Sequence, residues 1–302
     1  MPNIQTKALL FLERLFQLDE YMAKFAESEG DKEKFAAFVY RMRKLDQKKP
    51  PRFYRRILRI TDQKVQGFPM YIMAPQGEPT EKVVFYLHGG AYNVGPLIAQ
   101  WVRMRELVEA AGCRVALLDY PMAPEYTCER TMEVTQAAFE RLAVTFGAEN
   151  LVVIGDSAGG GLALAIAMER KKRGLSLPSS LILISPWLDV SMSNPRIPDY
   201  EARDLSLDPL GLRVQGDFYR ADLPGDHPWV SPKYGDMSGL PPIDLFIGMN
   251  EIFFPDCEEF YLKNRQADIT FYPYEGMQHD WVMMPIPEGE QAMQQIISRL
   301  QG

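Results

Sequence analysis

Apolar residues in the middle of the chain alternate between short continuous runs and longer helical patterns. Residues 83–87 are apolar throughout, which is typical of a strand buried on both faces of a parallel sheet. A helical pattern follows near 98–111, and the two kinds of segment then alternate. The later strands are predicted at 113–118, 151–154, 181–184, 243–248 and 269–272, and the later helices near 131–146 and after Gly159. This alternation predicts an α/β fold with a mostly parallel central sheet and helices on both faces.

Two segments interrupt that alternation. The first 48 or so residues have helical periodicity that ends at Pro50 and Pro51, and two short strands near 53–60 and 68–73 follow. A stretch over 188–241 is rich in Pro, Asp and Tyr and too long for a simple connection. We therefore predict a core of residues 51–187 and 242–302. N-terminal helices (1–50) and an insertion (188–241) fold over one edge of the sheet as a cap.

Composition and charge exclude several classes of protein. The 302 residues carry a net charge of −7, whereas a nucleic-acid-binding protein needs a basic face. Three widely spaced cysteines form no CxxC pair, which indicates a reducing compartment without a disulfide framework or thiolate metal site. No apolar run approaches the ~18 residues that span a bilayer, and the N-terminus lacks signal-peptide features. We expect a cytoplasmic protein without membrane insertion.

The candidate nucleophile is Ser157, in the pattern Gly155-x-Ser157-x-Gly159. An apolar strand enters the pattern and a helix of small residues leaves it, which is the context that a nucleophile elbow requires. Such a turn is sharp, so the residues two before and two after the serine must lack bulk, as these glycines do. The same pattern also fits a tightly packed turn or a phosphate cradle, so the serine needs partners before it indicates catalysis.

The chain has three histidines from which to choose a base. His88 follows the first buried strand in a glycine-rich turn, where we expect it to brace the loop, and His227 lies in an Asp-His-Pro turn of the insertion. His279 follows the last strand and is the predicted base. Two acids, Glu251 and Asp256, follow strand 243–248. Asp256 begins a D-x-x-E pattern that predicts a helix cap, so we favour Glu251 and leave Asp256 open.

Several motifs occur in the order typical of one enzyme family. The patterns H-G-G-G, D-Y-R-L-A-P-E and G-D-S-A-G-G correspond to residues 88–91, 119–125 and 155–160. From about residue 80 to 290 the sequence resembles the hormone-sensitive-lipase-like esterases, a branch of the α/β-hydrolases. Two departures stand out. Ala91 replaces the third glycine, and Pro121-Met122 replaces Arg-Leu, so the contacts of that arginine must be absent or supplied otherwise.

The resemblance implies an α/β-hydrolase fold and a serine carboxylesterase that cleaves short- to medium-chain acyl esters through an acyl-enzyme intermediate. It requires no cofactor or metal and allows a homodimer. It implies a catalytic triad, an oxyanion hole of backbone N–H groups, and four residues that shape the loops. These are, respectively, Ser157, Glu251 and His279; Gly90, Ala91 and Ala158; and His88, Gly89, Gly155 and Gly159.

Three other functions compete with this one. An amidase, formamidase, deacetylase or peptidase would use the same triad. A small-molecule-binding relative without turnover is a second alternative, because fold does not imply function, but the retained serine, acid and histidine disfavour it. A membrane-associated lipase is the third. The first predicted helix carries mixed charges, which favours packing on the core.

Overall fold

A single eight-stranded sheet forms the centre of the computed structural model, which describes residues 31–302. The strand order is β1-β2-β4-β3-β5-β6-β7-β8; β1, β2 and β4 pair antiparallel, and all other neighbours pair parallel. The predicted α/β fold with a mostly parallel sheet is therefore confirmed. The strands are β1 (Arg59–Val65), β2 (Phe68–Ala74), β3 (Val83–Leu87), β4 (Arg114–Leu118), β5 (Leu151–Asp156), β6 (Ser180–Ile184), β7 (Ile243–Gly248) and β8 (Ile269–Tyr274).

Helices cover both faces of this sheet. They are α1 (Lys32–Met42), α2 (Tyr54–Ile57), α3 (Ile98–Ala111), α4 (Cys128–Phe146), α5 (Ala158–Lys172), α6 (Pro198–Glu201), α7 (Pro209–Arg220), α8 (Phe254–Lys263) and α9 (Pro287–Gln301). Buried side chains of α4, α5 and α8 form one core with the sheet, and those of α3 and α9 form a second core on the other face. Within the described residues, no helix is both long and apolar enough to cross a membrane.

Strand β3 shows why an apolar run predicts a central strand. All five of its side chains are fully buried. Successive side chains of a strand point to opposite faces, so Val83, Phe85 and Leu87 enter one core while Val84 and Tyr86 enter the other. A strand in this position needs apolar residues on both faces, which its sequence provides.

The prediction of a strand at 53–60 is wrong over most of its length. Residues 54–57 form the short helix α2, and β1 begins only at Arg59. The chain turns directly after the two prolines, where the amide of Tyr54 donates to the carbonyl of Pro51 at 2.9 Å. Helix α4 also begins at Cys128, three residues before the predicted start. Thr127 is its N-cap residue, and the carbonyl of Thr127 accepts the first helical hydrogen bond, from the amide of Thr131.

Two segments outside the sheet pack against each other. Of the predicted N-terminal helices, residues 1–30 lie outside the described residues, and α1 follows with the side chain of Asp31 accepting hydrogen bonds from two amides at its start. Phe35, Phe38 and Val39 of α1 form a small cluster with Val214 of α7, and the rings of Phe35 and Phe218 stack at 3.8 Å. The division into core and cap stays a prediction, which this contact supports.

Candidate active site

Ser157 lies at the tight turn between β5 and α5. Its backbone has φ 51° and ψ −121°, a conformation that L-residues rarely adopt and that costs about 1–3 kcal/mol. Its amide donates to the carbonyl of Ile184 at 2.9 Å, and its carbonyl accepts from the amides of Gly160 and Trp187. These hydrogen bonds hold the strained residue in place and fix the direction of its side chain.

The glycines on either side of Ser157 lie where two backbones touch. A Cβ atom on Gly155 would overlap the backbone of Gly159 and lie 2.7 Å from the amide nitrogen of Gly160. A Cβ atom on Gly159 would overlap the carbonyl group of Leu87, at the end of β3. The start of α5 therefore approaches β3 so closely that neither glycine can be replaced without moving the backbone.

A chain of hydrogen bonds connects Ser157 with two of the predicted partners. Nε2 of His279 lies 3.0 Å from Oγ of Ser157, and Nδ1 of the same ring lies 2.7 Å from Oε2 of Glu251. Glu251 is fully buried, and its other oxygen accepts from the hydroxyl of Ser185 and from the amide of Gly248, both at 2.7 Å. Ser157 and His279 are 7% and 9% exposed, so a ligand can reach only a small part of each.

The second candidate acid, Asp256, has other partners. Its Oδ1 accepts from Nζ of Lys233 at 2.7 Å and from the side-chain Nδ2 of Asn194 at 2.9 Å. The prediction that it caps a helix is wrong: α8 begins at Phe254, and Asp256 lies in the first turn. A carboxylate still interacts favourably with the helix dipole there. The structure therefore brings Glu251, and not Asp256, into hydrogen-bonding contact with His279.

His88 braces the loop that follows β3. Its ring stacks on Tyr120 at 4.2 Å, and its Nδ1 lies 2.7 Å from the carbonyl of Gly89. The hydroxyl of Tyr120 donates to the backbone carbonyl of His88. Burial lowers the pKa of His88 to about 4. The ring is therefore neutral at ordinary pH and holds the loop by stacking and hydrogen bonding.

Asp156, which sequence analysis did not single out, connects this loop to the turn that carries Ser157. Its Oδ2 accepts from the amide of Gly89 at 2.9 Å and from the side chain of Gln100 at 2.6 Å, and its Oδ1 accepts from the hydroxyl of Tyr86. Burial raises the pKa of Asp156 and these donors oppose the rise. In the sequence, Asp156 could have been identified as a charged residue directly after the apolar run 151–154.

The three backbone amides predicted to form the oxyanion hole belong to the loop after β3 and to the first residue of α5. Gly90 has φ 117°, and a Cβ atom there would overlap the carbonyl of Val94, so glycine is required at this turn. Among the hydrogen bonds of residues 31–302, none uses the amides of Gly90 or Ala91 as donor. Ala158 is the first residue of α5, where amides have no acceptor within the helix. Their assignment to an oxyanion hole stays a prediction.

An arginine from a distant segment of the chain lies beside residues 119–125. In the family motif D-Y-R-L-A-P-E, an arginine is part of this segment itself. Arg43, just after α1, donates from Nε to the carbonyl of Asn93 at 2.7 Å and from Nη2 to the carbonyl of Ala123 at 2.8 Å. Its Nη1 contacts Oε1 of Glu125 at 2.6 Å. The N-terminal segment thus supplies arginine contacts to this motif, in which Pro121-Met122 replaces Arg-Leu.

The described residues bring no three His, Cys, Asp or Glu side chains together in a way that would hold a metal ion. The cysteines Cys113, Cys128 and Cys257 are free and buried. Burial raises the pKa of each thiol, so the thiolate that metals and electrophiles require is disfavoured.

Comparisons with known proteins agree with the fold and the motifs. A family profile described as the α/β hydrolase fold matches residues 84–283. An esterase from Acinetobacter venetianus is 31% identical over 77% of this chain and 80% of its own length. An acetyl-hydrolase from Streptomyces hygroscopicus is 32% identical over 70% of this chain and 73% of its own.

Solved structures give the same result. An esterase/lipase from an uncultured bacterium has a TM-score of 0.79 with 26% identity, covering 94% of this chain and 97% of that one. An esterase described as belonging to the bacterial hormone-sensitive lipase family has a TM-score of 0.76 with 27% identity over the same shares of the two chains. This chain belongs to the α/β-hydrolase fold family and, within it, to the hormone-sensitive-lipase-like esterases that its motifs resemble.

Proposed function

We propose that this protein is a serine carboxylesterase in which Ser157 is the nucleophile, His279 the general base and Glu251 the acid that orients it. The observation that supports these roles is the unbroken series of hydrogen bonds from Oγ of Ser157 through the imidazole to Oε2 of Glu251. Relatives described as esterases and acetyl-hydrolases support carboxylic ester hydrolysis as the reaction.

The first half of the reaction transfers the acyl group to the protein. Nε2 of His279 accepts the Ser157 proton while Oγ attacks the ester carbonyl carbon, and Glu251 stabilises the imidazolium through Nδ1–H. The amides of Gly90, Ala91 and Ala158 donate to the oxyanion of the tetrahedral intermediate. The intermediate collapses, the C–O bond of the ester breaks, and the alcohol leaves with the proton from Nε2.

The second half releases the acid. Water gives a proton to Nε2 of His279 and attacks the acyl carbonyl, which produces a second tetrahedral intermediate in the same oxyanion hole. When this intermediate collapses, Oγ of Ser157 leaves and recovers the proton. The carboxylic acid product dissociates, and no cofactor takes part in this sequence.

Buried aromatic rings lie close to the imidazole of His279. The ring of Phe253 meets His279 edge-on at 5.1 Å and stacks on Trp187 at 5.9 Å, while Tyr92 stacks on Tyr219 at 3.6 Å. All four aromatic side chains are almost fully buried. We propose that these rings limit the acyl chain to short or medium length. The cytoplasmic location and the homodimer also stay predictions.

Hydrolysis of p-nitrophenyl esters from acetate to octanoate tests this function. The variants Ser157→Ala and His279→Ala should each lose about 10³-fold or more in kcat, because either change removes the nucleophile or its base. His227→Ala, in a partly exposed turn of the insertion, is the matched control and should keep full activity. Undiminished hydrolysis by the Ser157 variant, or faster cleavage of the matching p-nitroanilide than of the ester, would contradict the proposal.

A further inference from the structure

A second carboxyl group lies next to the imidazole of His279. Oδ2 of Asp280 is 3.4 Å from Nε2 of His279, the same nitrogen that lies 3.0 Å from Oγ of Ser157. The other oxygen of Asp280 is buried and has no hydrogen-bond partner within residues 31–302. The ring therefore has one carboxyl group at each nitrogen, Glu251 at Nδ1 and Asp280 at Nε2.

The backbone of Asp280 is held in a specific conformation. Its φ of 53° is in the left-handed region, and its amide donates to Oγ of Ser185 at 3.2 Å. The hydroxyl of Ser185 in turn donates to Oε1 of Glu251 at 2.7 Å. Ser185 thus connects the backbone of Asp280 with the carboxylate of Glu251, so both acids keep a fixed relation to the ring.

The charges around this pair come from several elements. Glu251 after β7 and Asp204 of the insertion face His279, while Asp156 at the end of β5 and Tyr86 of β3 face Asp280. Asp204 accepts from three backbone amides, of Ser206, Leu207 and Ile252.

Asp156 and Glu251 also have donors on both oxygens. Of these four acids, Asp280 is the one whose carboxyl group has no hydrogen-bond donor in the described residues, and the imidazole of His279, once protonated, is its ion-pair partner.

We propose that Asp280 is a positioning residue whose carboxylate forms an ion pair with the His279 imidazolium beside Nε2, and that this contact sets the pH range in which the protein hydrolyses esters. The proposal rests on the function assigned above to Ser157 and His279. Asp280 places a second carboxyl group beside the imidazole, next to the nitrogen that faces Ser157.

The two groups together hold a proton tightly. Burial raises the pKa of Asp280 well above its ordinary value. Desolvation lowers the pKa of His279, but the carboxyl groups of Asp280 and Glu251 outweigh it and raise that pKa above the usual range. Since Nε2 can accept the Ser157 proton only after the imidazolium has lost its own, hydrolysis increases as the pH rises through the apparent pKa of the pair.

Asp280 has the opposite effect once the pair is deprotonated. At alkaline pH its carboxylate stabilises the imidazolium that forms when Oγ attacks, which makes His279 a stronger base. Asp280 therefore weakens hydrolysis at low pH and promotes it at high pH. A residue that only maintained the fold would change the rate at all pH values alike.

The test compares the pH dependence of kcat/KM for p-nitrophenyl acetate in the unmodified protein and in Asp280→Asn. We expect the acid limb of the variant to move about 1–3 pH units lower, because one nearby anion shifts a pKa by that amount. We also expect its alkaline plateau to be about tenfold lower, so that the two profiles cross. Asp236→Asn removes one exposed carboxylate that pairs with Lys171, and its profile should match the unmodified protein.

Each outcome separates this proposal from the proposed function. Superimposed profiles, or an acid limb that moves to higher pH, overturn the role of Asp280 while Ser157-dependent hydrolysis remains. If Ser157→Ala hydrolyses the ester as fast as the unmodified protein, the proposed function itself fails. Asp280→Glu keeps the charge and should restore the high-pH acid limb, which a loss of packing would not do.

A second measurement covers the case in which Asp280→Asn does not fold. The histidine rings of the 13C-labelled unmodified protein are titrated by NMR; only His88, His227 and His279 contribute, and His227→Gln and His279→Gln assign them. We expect the pKa of the His279 ring to lie well above the ordinary range of histidine, and the carboxyl resonance of Asp280 to change in the same titration step. A His279 ring that titrates near the ordinary value of about 6.5 overturns the proposal.

Discussion

The turn around Ser157 and the helices α1 and α7, which belong to the predicted cap, are packed in different ways. At the turn, backbone meets backbone: Gly155 and Gly159 leave no space for even one more carbon atom. Between α1 and α7, side chains meet side chains in a small cluster of Phe35, Phe38, Val39 and Val214. The partly buried ring of Phe218 packs against both this cluster and the core beneath α4, α5 and α8. We expect the first arrangement to fix the proposed nucleophile, and the second to change its shape more easily while the sheet stays folded.

This difference predicts which residues determine the rate of hydrolysis and which determine the choice of ester. Where two backbones touch, a glycine cannot be replaced by a larger residue. The geometry of Ser157 therefore depends on how the sheet and the start of α5 are packed. We expect a cluster with so few buried side chains to open locally at a lower free energy than the whole domain, as elements that admit substrates do. We therefore expect changes at the turn to abolish hydrolysis of every ester, and changes in the cap to alter which esters are preferred.

The largest effect is expected from Gly159→Ala. The added Cβ atom would overlap the carbonyl group of Leu87, so the start of α5 must move away from β3 and take Ser157 with it. We expect kcat to fall at least about 100-fold and the free energy of unfolding to fall by about 1–3 kcal/mol. Activity assays and urea denaturation measure the two quantities.

The matched control for this change is Gly77→Ala. A Cβ atom at Gly77 has nothing within 4 Å and its φ is not positive, so alanine should be neutral or slightly stabilising there. Unchanged kcat in Gly159→Ala would show that the turn has room that the backbone contacts do not suggest, and the contrast between turn and cap would then fail.

Local signals in the sequence predicted the turn better than they predicted its partners. The apolar strand, the glycines and the small-residue helix are adjacent in the chain, so their pattern indicates a nucleophile elbow directly. Glu251 and Asp256 both follow β7, and only contacts with Ser185 and Lys233 from elsewhere in the chain distinguish them. A contact between segments far apart in the chain leaves no periodic pattern to read.

The same limit applies to Arg43 and to β1. The partners of Arg43 are 50 to 82 positions away along the chain, so no spacing rule identifies it. Strand β1 is an edge strand with mostly exposed polar side chains, and it pairs only with β2. The position predicted for β1 was wrong because residues 54–57, just before it, form the short helix α2. The buried side chain of Tyr54 in that helix donates a hydrogen bond to the carbonyl of Trp101 in α3.

A smaller effect is expected from Arg43→Ala, which breaks the contact between the N-terminal segment and the loop of Gly90. Without it, the carbonyls of Asn93 and Ala123 lose a charged donor, and the loop can move. We expect kcat to fall about tenfold while KM changes little, since the oxyanion donors act mainly in the transition state. Steady-state kinetics on p-nitrophenyl acetate separates these parameters.

Lysine at this position should restore little of the lost activity, because an ammonium group cannot reach three acceptors in the geometry of a guanidinium. Arg55→Ala is the control: it removes an arginine from an exposed pair with Asp62, and exposed pairs contribute little. If Arg43→Ala raised KM and left kcat unchanged, Arg43 would belong to the substrate-binding cap rather than to the support of the loop.

The smallest effect on chemistry is expected from Phe218→Ala in α7. Its ring stacks on Phe35 at 3.8 Å, and such pairs contribute about 0.5–1.5 kcal/mol beyond the area they bury. Losing the stack should loosen α1 against α7, so octanoate hydrolysis should rise relative to acetate while acetate kcat stays within about threefold. Leu210→Ala, half exposed on the same helix, is the control and should leave the chain-length profile unchanged. Acetate hydrolysis that fell as far as in Gly159→Ala would mean that the cap also fixes the reacting atoms.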